Sequence, residues 1–177
     1  MFESVAKLDR HIYCQVTQIG LRHGLRPLAK RISSTGDGPM YLYISTVLLL
    51  LSHQGENFFG LALAAFMLEL PLYFLLKNSI RRIRPCHAAM SDEFDVQLAA
   101  FEPSDKFSLP SGHTGAAFVM ATVVFLIYPD WSVLAFAWAA VIGLSRIILG
   151  VHYPLDILAG ALLGITSVYL AFPFLAS

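Results

Sequence analysis

The sequence predicts an all-α fold, a polytopic transmembrane helix bundle with about five spans plus an N-terminal amphipathic surface helix, roughly six helices in all. Hydrophobic residues make up 56% of the 177 residues and charged residues only 14%, whereas about a quarter of a soluble domain is charged. From Pro39 to Leu76 the only formal charges are Glu56 and Glu69. We therefore expect a single membrane domain over residues 1–177. A net charge of zero gives no reason to expect a nucleic-acid partner.

Residues 1–35 form the predicted amphipathic N-terminal segment, as one or two helices. Apolar residues recur at three- and four-residue steps from Val5 to Ile19, with lysines and arginines between and after them. Such a helix lies on a membrane surface more readily than it crosses the bilayer, because its charged face stays among the headgroups. The segment has no apolar core of the signal-peptide kind, so we expect no cleavable signal peptide.

Five apolar segments follow, and each is predicted to cross the bilayer. They are residues 39–52, 58–76, 112–128, 131–149 and 153–174. The first is shorter than the roughly 20 residues that about 30 Å of hydrocarbon requires. Pro71 should kink the second segment, where Glu69 is a candidate buried acid. Gly160 and Gly164 permit close contact between the last segment and another helix.

One long polar stretch, residues 77–110, separates the second and third segments and is the expected active-site loop. It is basic at first and then acidic. Its Arg81 and Arg82 are either neighbours of the catalytic residues or, as we expect, groups that contact lipid headgroups or water. Two crossings separate this loop from the turn at residues 150–153. Both therefore face the same side of the membrane, and reactive residues in the two places can meet at one surface.

Three short motifs carry the chemistry. They are Lys77-(six residues)-Arg84-Pro85, Pro110-Ser111-Gly112-His113, and Ser145-Arg146-(five residues)-His152-(three residues)-Asp156. Arginine binds phosphate oxygens bidentately, whereas lysine acts as a point charge. Lys77, Arg84 and Arg146 are therefore predicted to bind a phosphate group.

The second motif opens a predicted helix, whose first N–H groups and dipole favour an anion. Gly112 allows close approach of the backbone, so Ser111 and Gly112 join the predicted phosphate-binding residues. His113 can protonate a leaving oxygen, because a phosphate beside it favours the charged ring.

His152 and Asp156 are four residues apart and therefore lie on one helical face. A carboxylate bonded to one ring nitrogen would fix the tautomer and raise the nucleophilicity of the other nitrogen. The pattern predicts cleavage of a phosphate ester in which one histidine attacks and the other donates a proton. We expect no metal and no cofactor, since the motifs already use these side chains, and Cys14 and Cys86 lack zinc spacing.

These motifs resemble those of the type 2 phosphatidic acid phosphatase (PAP2) family, within the acid phosphatase/vanadium haloperoxidase superfamily. The resemblance covers about residues 41–174. It implies that His152 is the nucleophile that forms a phosphohistidine, that Asp156 orients it and that His113 is the general acid. It assigns to phosphate binding Lys77, Arg84, Ser111, Gly112 and Arg146. Many integral members have six spans, whereas five are predicted here.

The implied function is hydrolysis of a lipid phosphate or diphosphate, such as phosphatidate, phosphatidylglycerol phosphate or polyprenyl diphosphate, by an integral protein of the bacterial inner membrane. Alternatives are a lipid phosphotransferase that uses the same intermediate, a haloperoxidase and a non-enzymatic membrane scaffold. With five spans, all twelve lysines and arginines lie on the active-site side, which the positive-inside rule makes cytoplasmic. The family resemblance favours an outward-facing site instead. The sequence leaves this sidedness, and the oligomeric state, open.

Overall fold

The computed structural model describes residues 2–88 and 105–174, and the regular structure within these ranges is helical. The helices, in chain order, are α1 (Phe2–Arg22), α2 (Arg26–Ser34), α3 (Gly38–Leu51), α4 (Gly55–Ile80), α5 (Pro85–Ala88), α6 (Gly112–Ile127), α7 (Ser132–Ile148) and α8 (Pro154–Ala171). Helices α3, α4, α6, α7 and α8 match the five predicted segments to within a few residues. The predicted all-α helix bundle is therefore confirmed, and the N-terminal segment divides into two helices.

Proline residues help to set where these helices begin. Pro39 lies in the first turn of α3 and Pro154 is the first residue of α8. A proline fits there because the first N–H groups of a helix have no intrahelical acceptor. Helix α4 runs without interruption through Pro71.

Three stretches of the described chain are long and apolar enough to cross a bilayer. They are Gly55–Ile80, Pro129–Ile148 and Pro154–Phe174, and the shorter apolar helices α3 and α6 accompany them. Large apolar side chains such as Leu51, Phe74 and Val133 point outward from these helices. Lipid tails solvate such a surface, whereas water does not.

Helix α6 lies at the centre of the bundle and packs against α4, α7 and α8. Its contact with α8 is close because both helices have glycines there. A Cβ built on Gly160 would lie 2.5 Å from the carbonyl oxygen of Ser111, and one on Gly164 would overlap the carbonyl oxygen of Gly115. The predicted close contact at Gly160 and Gly164 is confirmed. It fixes the start of α6, and with it the second motif, against α8.

Helix α1 turns its polar face toward the protein and its apolar face outward. The buried face consists of Asp9, Tyr13, Thr17 and Gly20. The Tyr13 ring lies 5.2 Å from that of Tyr153, and the Thr17 hydroxyl donates to a carbonyl oxygen of α7 at 3.2 Å. Leu8, on the opposite face, is 58% exposed. The N-terminal segment thus docks on the turn between α7 and α8 and leaves an apolar stripe free to meet a membrane surface.

Candidate active site

The three motifs meet around one cavity of about 720 Å³. Its polar end is lined by Arg84, Gly112, His113, Arg146 and His152. These residues come from the loop after α4, the start of α6, the end of α7 and the turn before α8. Counting membrane crossings in the sequence predicted this convergence. Residues 89–104 of the expected active-site loop lie outside what the structure describes, and so does the side chain of His87, the one histidine of that loop.

His152 is buried in its neutral form, with Nε2 directed at Arg84. Nη1 of Arg84 lies 3.0 Å from Nε2. A guanidinium group only donates hydrogen bonds, so Nε2 accepts this one and the ring proton is on Nδ1. Burial lowers the pKa of His152 to about 3, despite the opposing effect of Asp156. The ring therefore has an unprotonated Nε2, which is the form a nucleophile requires.

Asp156 approaches the other ring nitrogen of His152 without a hydrogen bond. Its Oδ2 lies 3.6 Å from Nδ1, beyond hydrogen-bond range. The same oxygen accepts the backbone N–H of Tyr153 at 2.8 Å, which caps α8, and Oδ1 accepts a bond from Arg82 at 2.8 Å. The structure thus brings the predicted pair together, but Asp156 is held by other donors.

Two of the predicted phosphate-binding cations already bind a carboxylate. Nζ of Lys77 donates to Asp105 Oδ2 at 2.7 Å, and Nη2 of Arg84 donates to Asp105 Oδ1 at 2.6 Å. Burial opposes ionisation of Asp105, but these hydrogen bonds hold its pKa below the ordinary value. Asp105 therefore occupies the position that an anionic ligand of Lys77 and Arg84 would take. The sequence did not single it out, because acidic residues in a polar loop are usually solvated.

The end of α2 and the turn before α3 form a wall of the cavity beside these cations. Asp37 Oδ1 lies 2.8 Å from Nε2 of His113, and Nη1 of Arg146 donates to Ser33 Oγ at 2.7 Å. Asp37 stands at the N-cap position of α3 yet makes no capping bond with its side chain. From the sequence it would be interpreted as a helix cap, so its contact with His113 was not predicted.

Ser111 and Gly112 both lie at the start of α6, but of the two only Gly112 lines the cavity. The Ser111 N–H, expected to face an anion, donates to the carbonyl oxygen of Asp156 at 3.0 Å, and Ser111 Oγ accepts a bond from Thr114 at 2.9 Å. The N–H is engaged because α8 packs closely here, whereas the Oγ contact lies within the first turn of α6 itself. Gly112 lines the cavity, where a Cβ would lie 3.1 Å from the ring of Tyr73.

Within residues 2–88 and 105–174, no group of three or more His, Cys, Asp or Glu side chains is arranged to hold a metal ion. At the polar end of the cavity, Arg84 pairs with Asp105 and His113 pairs with Asp37. Two further pairs involve cations that do not line the cavity: Lys77 with Asp105, and Arg82 with Asp156.

Comparison with known proteins places this arrangement in a family. A sequence profile described as PAP2 superfamily matches residues 57–176. The undecaprenyl-diphosphatase of Sulfolobus acidocaldarius is 31% identical over 129 residues, which cover 72% of this chain and 60% of that protein. The match thus spans less than two thirds of the length of that relative.

Two solved structures share the whole fold. Aquifex aeolicus LpxE superposes with a TM-score of 0.77 and 26% identity, covering 94% of this chain and 95% of that one. The transmembrane PAP2 type phosphatidylglycerolphosphate phosphatase from Bacillus subtilis superposes with a TM-score of 0.72 and 25% identity, covering 97% and 86%. Together with the apolar helices, these neighbours show an integral membrane protein. Since the profile matches more than half of the chain, the protein belongs to the PAP2 superfamily.

Proposed function

We propose that this chain is a membrane lipid phosphatase that cleaves a lipid phosphate or diphosphate through a phosphohistidine on His152, without a metal. The shape of the cavity carries this proposal. Its walls continue from the polar end along apolar side chains of α3 and α4, among them Leu42, Leu63, Phe66 and Leu70. Leu42 and Leu63 are also exposed on the outer surface of their helices. A headgroup can therefore reach His152 while its acyl or prenyl tail remains among apolar side chains.

The first chemical step uses the neutral ring of His152. The lone pair on Nε2 attacks phosphorus, and the bond from phosphorus to the leaving oxygen breaks as His113 gives its proton to that oxygen. Nη1 of Arg84 donates to Nε2 in this structure, so it must turn to a phosphate oxygen before the attack. Together with Arg84, Lys77 and Arg146 stabilise the negative charge on the equatorial oxygens of the phosphate.

The second step restores the enzyme. Water attacks the phosphohistidine, His113 accepts the water's proton, and the bond between phosphorus and Nε2 breaks with its electron pair returning to nitrogen. The carboxylate of Asp156 stabilises the positive charge that the ring carries between the two steps, because its Oδ2 lies 3.6 Å from Nδ1.

The relatives indicate which substrates to test. Their names specify undecaprenyl diphosphate and phosphatidylglycerolphosphate, and phosphatidate presents the same chemistry.

We propose that the protein lies in the bacterial inner membrane and that residues 1–177 form one domain. Contacts of α1 and α2 with α7, and of α1 with α8, support the single domain. A topology reporter fused at the C-terminus would establish which side the site faces.

The decisive experiment compares lipid and soluble substrates with the purified protein in detergent. We expect kcat/KM for long-chain phosphates to exceed that for glycerol phosphate by at least about tenfold, or about 1.4 kcal/mol. His152→Ala should lower turnover by several orders of magnitude, and activity should survive EDTA and fall with vanadate. Equal efficiency toward both substrate classes would contradict the lipid assignment. An active His152→Ala protein would contradict the mechanism. Added lipid acceptors that capture the phosphate would identify a phosphotransferase.

A further inference from the structure

A chain of ion pairs runs from helix α1 to the candidate catalytic carboxylate. Nη1 of Arg82 donates to Asp156 Oδ1 at 2.8 Å, and Nη2 of the same guanidinium pairs with Asp9 Oδ2. The second oxygen of Asp9 accepts the backbone N–H of Leu155 at 2.9 Å. Arg82 thus bridges a carboxylate on α1 and a carboxylate on α8, and Asp9 is itself fixed to the first turn of α8.

The two carboxylates of this network are buried, and the Arg82 side chain that joins them is 25% exposed. The side chains of Asp9 and Asp156 are 2% and 0% exposed. The Arg82 guanidinium lies 4.1 Å above the ring of Tyr153, which in turn contacts Tyr13 of α1. Removing Arg82 would leave two buried carboxylates without their shared cation, which is strongly unfavourable.

The bridge determines where the Asp156 carboxylate points. Arg82 holds Oδ1 and the Tyr153 N–H holds Oδ2, so the carboxylate is held from both sides. Oδ2 is the oxygen beside Nδ1 of His152. Without Arg82, the carboxylate could rotate about its last torsion, because that torsion is broad.

We propose that Asp9 and Arg82 are positioning residues that act through Asp156, keeping its carboxylate directed at Nδ1 of His152. Helix α1 is then a functional part of the site and not only a surface anchor. The inference rests on the proposed role of His152. It also replaces the expectation that Arg82 contacts lipid headgroups.

The chain offers two matched controls. Arg81, next to Arg82, is exposed, and its Nε donates to the Asn78 carbonyl oxygen at 2.8 Å. Glu3, also on α1, is exposed as well. Arg81→Gln removes the same positive charge as Arg82→Gln. Glu3→Gln removes the same negative charge as Asp9→Asn. We expect both controls to keep wild-type activity.

The test is a double-mutant cycle on the purified full-length protein with a lipid phosphate substrate. Arg82→Gln and Asp9→Asn should each lower kcat by about tenfold to a hundredfold and leave KM nearly unchanged. In an Asp156→Asn background, each should lower kcat by less than about threefold, because the group on which they act is already lost. Asp9→Glu, which keeps the charge, should retain more activity than Asp9→Asn.

Two results would overturn the proposal: wild-type kcat in both single variants, or losses that multiply fully in the Asp156→Asn background. If Arg82→Gln fails to fold, Arg82→Lys carries the same comparison, because it keeps the charge but cannot bridge both carboxylates. An active His152→Ala protein would instead refute the proposed function. An inactive His152→Ala protein beside fully active Asp9 and Arg82 variants would refute only the positioning role.

Discussion

Adding one methyl group at Gly160, which lies on the same face of helix α8 as Asp156, should disturb the start of α6. The Cβ of Gly160→Ala would lie 2.5 Å from the carbonyl oxygen of Ser111 and 3.3 Å from Thr114 Cβ. Both neighbours belong to the turn that begins α6. Ordinary contact begins near 3.4 Å, so the start of α6 must move by about 0.9 Å. His113 lies on that first turn and would move with it.

The expected losses follow from this displacement. A misplacement of about 1 Å at reacting groups can cost on the order of 10²-fold in rate, and overpacking a core typically costs about 1–3 kcal/mol. We expect kcat/KM of Gly160→Ala to fall by about ten- to a hundredfold, with a lower midpoint of thermal unfolding. Phosphate release and unfolding should both be measured in the same detergent.

Gly164→Ala is the matched control. Its methyl group would overlap the carbonyl oxygen of Gly115, one turn further from Ser111. We expect a comparable loss of thermal stability but a smaller loss of kcat/KM. If Gly160→Ala folds and retains wild-type kcat/KM, or if both variants lose activity equally, then the contact with α8 does not position the second motif.

Three further predictions concern the cavity and its charges. Asp105→Asn should strengthen inhibition by vanadate, because the carboxylate no longer competes for Lys77 and Arg84; weaker inhibition would contradict this. His152 should show no titration between pH 5 and 8 in NMR spectra assigned with a His152→Gln variant. Since its folded pKa of about 3 lies below its unfolded value of 6.5, its contribution to stability is complete above pH 6.5 and falls as the pH drops toward 3. Phe66→Ala should lower kcat/KM for phosphatidate about tenfold and leave glycerol phosphate unaffected, and equal effects on both would argue against an apolar tail site.

The spans and the meeting of the motifs were predictable because their signals are local. Apolar runs, charged gaps and prolines mark each long helix in a few residues, and α3, α4, α6, α7 and α8 follow them closely, whereas the short α5 lies within the predicted loop. The motifs lie at the ends of these helices, so counting crossings was enough to bring His113, Arg146 and His152 together. The close contact at Gly160 and Gly164 was also predictable, because glycines four residues apart lie on one face of a helix.

The carboxylates around the site were not predictable, because each finds its partner far along the chain. Asp9 meets Arg82, Asp37 meets His113 and Asp105 meets Lys77, at separations of 73, 76 and 28 residues. In sequence, Asp37 resembles a helix cap and Asp105 a solvated loop residue. The stripe from Val5 to Ile19 indicated an amphipathic α1, but it gave no sign that the polar face would be the buried one.

These pairings bear on how the proposed substrate binds. Buried cations without counter-charges are costly, and carboxylates accompany the cations here: Asp105 pairs with Lys77 and Arg84, and Asp156 and Asp9 pair with Arg82. A phosphate therefore exchanges with Asp105 and does not enter an empty positive site. Because the substrate phosphate must displace the Asp105 carboxylate, it binds more weakly than it would bind to the same cations without a counter-charge. The phosphate product is held more weakly for the same reason. The Asp105 carboxylate, still beside Lys77 and Arg84, can then return and promote product release, so Asp105→Asn should slow release as it tightens binding.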